Sequence, residues 1–131
     1  MRIVLDTNVL VSAFLSAEGP PAQVVALVLA GEVDLLFDAR VLAEYEEVLA
    51  RPRFKLDPND VAEVLRQLVS GGERVDAEPV EPQLPDPDDQ PFLEVALAGE
   101  ADAIVTGNPR HFPRSLPVAV LSPRALLERI G

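Results

Sequence analysis

A chain of 131 residues suits one domain, able to bury about two-thirds of the surface its unfolded form exposes. Cys 0 excludes thiolate zinc sites and cysteine nucleophiles and gives no sign of an oxidising compartment. Lys+Arg 11 against Asp+Glu 22 leaves a formal charge of -11, which opposes nonspecific binding to nucleic acid or to an anionic membrane.

Ile3, Val4 and Leu5 form a short apolar run that reads as a strand buried on both faces, and Asp6 falls where that strand ends. Ligands of open parallel sheets bind beyond the carboxyl ends of central strands, so an acid here is placed for chemistry. The plainer role is to cap the helix that Asn8, Val9, Leu10 and Val11 begin. The apolar stretch after Arg2 has the look of a signal peptide, but Asp6, Thr7 and Asn8 interrupt it early. No other segment has the uninterrupted apolar length of a membrane span, so the expectation is a soluble cytoplasmic protein with no membrane partner.

Glu18 to Pro21 breaks the first helix, and a second is expected from about Pro21 to Ala30, with Gly31 to end it. Val33 to Phe37 reads as the next strand, and Asp38 as the cap of a helix over Ala39 to Ala50. That helix buries Val41, Leu42, Tyr45, Val48 and Leu49 on one face. Glu47 projects opposite, while Glu44 and Glu46 lie along the two margins, and periodicity does not choose between them.

Asp57 and Pro58 open a further helix that buries Val61, Val64, Leu65, Leu68 and Val69 and stops at Gly71 and Gly72. A short strand at Arg74 and Val75 is expected next, then an extended surface loop from Glu78 to Pro91, rich in proline and acid. The loop delivers Asp86, Pro87, Asp88 and Asp89 into a helix starting near Gln90 and Pro91, largely buried because only Glu94 interrupts its apolar run. Ala103 to Val105 is a strand with Thr106, Gly107, Asn108 and Pro109 as the turn beyond it; Val118 to Val120 is the last strand, and Ser122 caps a closing helix. Alternation of this kind implies one parallel sheet sandwiched by helices.

Such a sheet aligns its strand ends along one edge, where Asp6, the acids from Asp86 to Asp89, and Thr106 to Asn108 can share a pocket with Glu44. Taken singly, Glu44 reads as solvent-facing and Asp88 or Asp89 as a helix cap. Two carboxylates about 5 Å apart repel by roughly 3 kcal/mol at an effective dielectric near 20, so a converging group needs a positive offset. Mg2+ or Mn2+ suits carboxylate and water ligands; a histidine-rich zinc site is excluded by His 1, and His111 reads as a turn residue.

Ile3-Val4-Leu5-Asp6-Thr7-Asn8-Val9-Leu10 resembles the opening motif of PIN domains, the fold of the VapC-like toxins of bacterial toxin-antitoxin systems. Leu42-Ala43-Glu44-Tyr45 with Val48-Leu49 is similar to the second motif, which selects Glu44. Asp86 to Leu93, continuing to Ala96, is similar to the third, with Asp89 at the invariant acid, and Ala103 to Asn108 to the fourth. The resemblance spans nearly the whole chain. It implies a single PIN-like domain over residues 1–131, a three-layer α/β/α sandwich with a parallel sheet of strand order 3-2-1-4-5.

The resemblance also implies a metal-dependent endoribonuclease that leaves a 5′ phosphate and a 3′ hydroxyl, held inactive by a cognate antitoxin, and often paired as a homodimer. Asp6, Glu44 and Asp89 would be the catalytic acids holding one or two Mg2+ or Mn2+ ions, with Asn8, Thr106 and Asn108 positioning water or substrate. Many members carry Asp where this chain has Asn108, so Asp86 or Asp88 becomes the candidate for the remaining negative charge. The RNA substrate would approach past Arg40, Arg51, Arg53, Arg110 and Arg114.

Rival readings fare less well. Asp6-Thr7-Asn8 lacks the Asp-x-Asp pair of haloacid dehalogenase phosphatases, and the lone Lys55 is misplaced for a receiver domain. A degenerate PIN module that binds RNA or a protein partner without cleavage is favoured only by Asn108.

Overall fold

The computed structural model describes residues 1–81 and 83–131. Five strands, β1 (Arg2–Leu5), β2 (Asp34–Phe37), β3 (Glu73–Arg74), β4 (Ala103–Val105) and β5 (Ala119–Leu121), make one parallel sheet in the order β3-β2-β1-β4-β5. Six helices flank it: α1 (Thr7–Leu15), α2 (Pro20–Leu29), α3 (Ala39–Leu49), α4 (Pro58–Gly71), α5 (Gln90–Ala98) and α6 (Pro123–Ile130). The result is the PIN-like α/β/α architecture expected from the motifs.

β1 is central because it can be covered on both faces. Ile3, Val4 and Leu5 are each 0% exposed, as are Ile104 and Val105 of its neighbour β4. Full burial of each such aliphatic side chain is worth roughly 1.5–3 kcal/mol. α5 packs on β1, β2 and β4, which is why its run from Phe92 to Ala96 is buried throughout, while α4 lies on β2, α6 on β5, and α2 touches both α4 and α6. Asp38, Asp57 and Ser122 cap α3, α4 and α6 by accepting from the backbone N–H groups of Val41, Asn59 and Ala125.

Element ends differ from expectation by about one residue. α2 starts at Pro20, because the extended Gly19 caps it and two prolines fill a first turn whose N–H groups need no helical acceptor. β3 and β5 are each displaced by one residue, since the ladder pairs Glu73 with Leu36 and Leu121 with Val105; Val75 N–H still donates to the Phe37 carbonyl. Gly72 is required where α4 turns into β3, because a Cβ there would stand 2.7 Å from the Leu68 carbonyl oxygen and 2.9 Å from that of Leu35. Of the loop from Glu78 to Pro91, Pro82 lies outside the described residues.

Among the described residues no single helix is long and apolar enough to cross a membrane; α1 and α2 reach that length only together, bent by 105°.

Candidate active site

Strand register builds the first part of the site. Leu5 pairs with Val105, so the next residues, Asp6 and Thr106, emerge side by side at the carboxyl edge. Backbone bonds fix both, Asp6 N–H to the Val105 carbonyl and Thr106 N–H to the Leu121 carbonyl, each 2.9 Å. The Asp6 carboxylate sits at the N-cap of α1 yet makes no capping bond. It accepts instead from Thr106 Oγ1 at 2.7 Å and from Asn8 Nδ2 at 3.3 Å. Asp6 thus stands at the cap position of α1, but its side-chain bonds run to Thr106 and Asn8 in the pocket.

Asn8 and Thr106 are themselves oriented. Gly107 N–H donates to Asn8 Oδ1 at 3.0 Å, and Asn108 N–H to Thr106 Oγ1 at 3.1 Å. Thr106 is fully buried, whereas Asn108 is exposed.

α3 supplies the second acid. Tyr45, 1% exposed, donates its hydroxyl to the Leu5 carbonyl at 2.6 Å and so pins the helix to the end of β1. The preceding residue, Glu44, is half-buried and accepts a bond from the Thr7 hydroxyl, whereas Glu46 is exposed on the side facing Leu56 and Pro58. The structure thus separates the two margins that periodicity left equal. Thr7 is a positioning residue that motif reading passed over; the signal was its place inside Asp6-Thr7-Asn8, beside two residues that were singled out.

The loop before α5 supplies the third. Pro87–Asp89 forms one tight turn in which Asp86 accepts from Asp88 N–H at 2.9 Å, so Asp86 is committed to its own turn. Asp89 follows, half-buried, without a side-chain capping bond.

The acids feel one another. Burial raises the pKa of Asp6, opposed by the hydrogen bond from Thr106, by the backbone N–H dipoles of Thr7 and Asn8 and by the charge of His111. Burial also raises Glu44, the Thr7 hydroxyl works against it, and Asp6 and Asp88 add repulsion. Asp89 is pushed up to about 6 by burial and then by Asp6 and Asp86, with His111 opposing and Glu44 adding to the rise. None of the three acids forms an ion pair with a basic side chain among the described residues. His111, expected as an ordinary turn residue, is exposed on the Pro109–His111 turn and acts electrostatically on both Asp6 and Asp89.

Among the described residues, no group of three or more His, Asp or Glu side chains is drawn together tightly enough to hold a metal ion. Donor chemistry nonetheless fits a hard divalent ion, since the pocket offers carboxylate, hydroxyl and amide oxygens and its acids are unfavourable as free anions.

The arginines expected along the approach divide. Arg40 is engaged by Asp38 and Glu94, Arg51 by Glu47, and the Arg53 guanidinium lies 4.8 Å from the centre of the Phe54 ring. Arg110 and Arg114 form no ion pair among the described residues.

Comparison with known proteins agrees with this frame. No curated protein matches the chain. Among solved structures, the chain is similar to a chain of VapBC2 from Rickettsia felis bound to a DNA fragment from their promoter, with a TM-score of 0.62 and 17% identity over 93% of this chain and 98% of that one. It is similar also to a chain of FitAcB from Neisseria gonorrhoeae, with a TM-score of 0.57 and 22% identity over 93% of this chain and 98% of that one. At these identities the likeness is one of fold. The family model described as PIN domain matches residues 2–110, a span that takes in Asp6, Glu44, Asp89 and Thr106 and the strand ends that carry them; the chain belongs to the PIN domain family.

Proposed function

We propose that the chain is a metal-dependent endoribonuclease that hydrolyses RNA phosphodiesters, and that it is the toxin of a type II toxin-antitoxin pair, restrained by a cognate antitoxin and acting as a homodimer in the cytoplasm. The observation that carries this reading is the placement of Asp6, Glu44 and Asp89 at one sheet edge, each raised in pKa by burial, Glu44 and Asp89 raised further by neighbouring acids, and none offset by an ion pair among the described residues. Membership of the PIN domain family supports nuclease chemistry, and likeness of fold to chains of VapBC2 and FitAcB supports the pairing with an antitoxin.

Asp6, Glu44 and Asp89 would hold Mg2+ or Mn2+, with Asp86 and Asp88 adding negative charge nearby. A bound divalent ion supplies a water of lowered pKa and offsets charge on the scissile phosphate. The chain's own part is orientation. Thr106 and Asn8 hold the Asp6 carboxylate, Thr7 holds Glu44, and Tyr45 fixes the distance between α3 and β1. Asn108 stands at the mouth, where its amide can orient a water or a phosphate oxygen but adds no charge.

Incubation with single-stranded and structured RNAs plus Mn2+ tests the reading. Cleavage by the native chain and none by Asp6→Asn is the expected result; equal cleavage by both would refute it. A second reading, a PIN module that binds RNA or a protein without cutting, is favoured by the amide at Asn108 and by the separation of the acids. Mn2+ that raises the melting temperature while every RNA stays intact would select it.

A further inference from the structure

A cavity of about 700 Å³ lies beside β5, walled by that strand and by the segment that leads to it from the mouth of the acid pocket. Its lining includes Arg110, Phe112, Arg114, Leu116, Val118 and Val120, and it includes no acid, in a chain whose formal charge is -11. We infer that this cavity is a subsite for one unpaired nucleotide of an RNA strand, the base against Leu116, Val118 and Val120 and the phosphate on Arg110 and Arg114. The inference rests on the nuclease reading of the neighbouring pocket.

Four observations support that occupant. The volume lies within the range of small-molecule sites, which is ample for a nucleotide. Arg110 and Arg114 have no ion pair among the described residues, so their guanidinium forks are available to a phosphate without first being stripped from a carboxylate. A partly exposed apolar wall of Leu116, Val118 and Val120 suits the face of a base, and a base lodged in a cavity cannot be paired to a complementary strand. Finally, the Pro109–His111 turn joins the two places. Pro109 and Arg110 line the cavity, while His111 acts electrostatically on Asp6 and Asp89. The cavity therefore begins on the same turn of chain whose last residue acts on the acids.

The test uses Asp6→Asn protein, in which RNA stays whole, and follows the methyl resonances of Leu116, Val118 and Val120. Probes are the four nucleoside 5′-monophosphates and an unstructured RNA decamer. At least one monophosphate and the decamer are expected to shift those methyls. The pair of substitutions Arg110→Ala and Arg114→Ala is expected to weaken binding by about tenfold or more. It should also reduce the slope of log K against log salt for the decamer by about 0.7, the share of one phosphate on a single strand.

Silent methyls, undiminished binding by the double variant, or equal shifts from an RNA duplex would each overturn the subsite. So would broadening of the same methyls with protein concentration alone, which would assign the cavity to a second copy of the chain. The two readings fail separately: a nucleotide seated in the cavity with no RNA cut in Mn2+ keeps the subsite and removes the nuclease, whereas cleavage with silent methyls does the reverse.

Discussion

Acids on α3 and α5 and at their N-caps lie in two places, and the two places differ in what offsets them. At the carboxyl edge, Glu44 and Asp89 face Asp6 with no basic partner and are harder to ionise than usual. One turn along α5, Glu94 is more deeply buried, its side chain 5% exposed, yet its pKa is lowered. Burial alone would raise it; the hydrogen bonds from Arg40, Gln90 and the Val80 N–H, with the charge of Arg40, outweigh that. Arg40 also reaches Asp38, so α3, α5 and the loop at Val80 are fastened at one point. Depth does not separate an acid of lowered pKa from one of raised pKa here; compensation does.

The largest expected effect breaks the uncompensated side. Asp89→Asn should lower Mn2+-dependent RNA cleavage by about a thousandfold, the scale of several kcal/mol of lost charge stabilisation, while the melting temperature of the metal-free protein stays level or rises. A fall in cleavage that merely tracks unfolding would show that Asp89 is another Glu94.

Next in size is metal binding itself. Mn2+ at a hundred times its Kd should stabilise the fold by about 2.7 kcal/mol, read as a rise in melting temperature. The gain should grow with pH. Asp89, raised from 3.8 to about 6, stabilises the metal-free fold fully below its ordinary value, and that contribution is lost as pH rises through about 6. A cation that needs the carboxylate therefore binds better above that pH. Glu94 has the opposite sign: its contribution is present above the ordinary glutamate range and is lost as pH falls through its lowered value. Calorimetry from about pH 2 to 8 on Asp89→Asn and Glu94→Gln separates the two slopes.

Glu94→Ala should cost about 2 kcal/mol in chemical denaturation, since it leaves the Val80 N–H without its acceptor and Arg40 with Asp38 alone. The figure stays below that of a fully buried pair because the Arg40 side chain is 46% exposed. The smallest effect is at Thr7→Val, which keeps the shape but removes the hydroxyl that holds Glu44. A loss of cleavage of about tenfold with stability changed by about 1 kcal/mol is expected.

The sequence carried the frame because the frame is made of short-range signals. Buried runs such as Ile3 to Leu5 and Ala103 to Val105, with capping residues Asp38, Asp57 and Ser122, place strands and helices within about a residue. Strand order then brings Asp6 and Thr106 together although they are 100 residues apart. What periodicity missed was partnership. Glu94 read only as a break in an apolar run, because its counter-charge lies 54 residues away on another helix. Arg40 read as free for substrate for the same reason. Glu44 and Glu46 were equivalent by spacing, and only the packing of Tyr45 beneath Leu5 tells which margin looks inward.

That tyrosine also makes the molecule its own indicator. The chain has Trp 0 and Tyr 1, so its near-ultraviolet emission comes chiefly from one phenol, clamped to the Leu5 carbonyl and lying in the field of Asp6 and Glu44. A cation held by those acids would change the local potential of the dominant fluorophore, and titrations can be followed by light without a label.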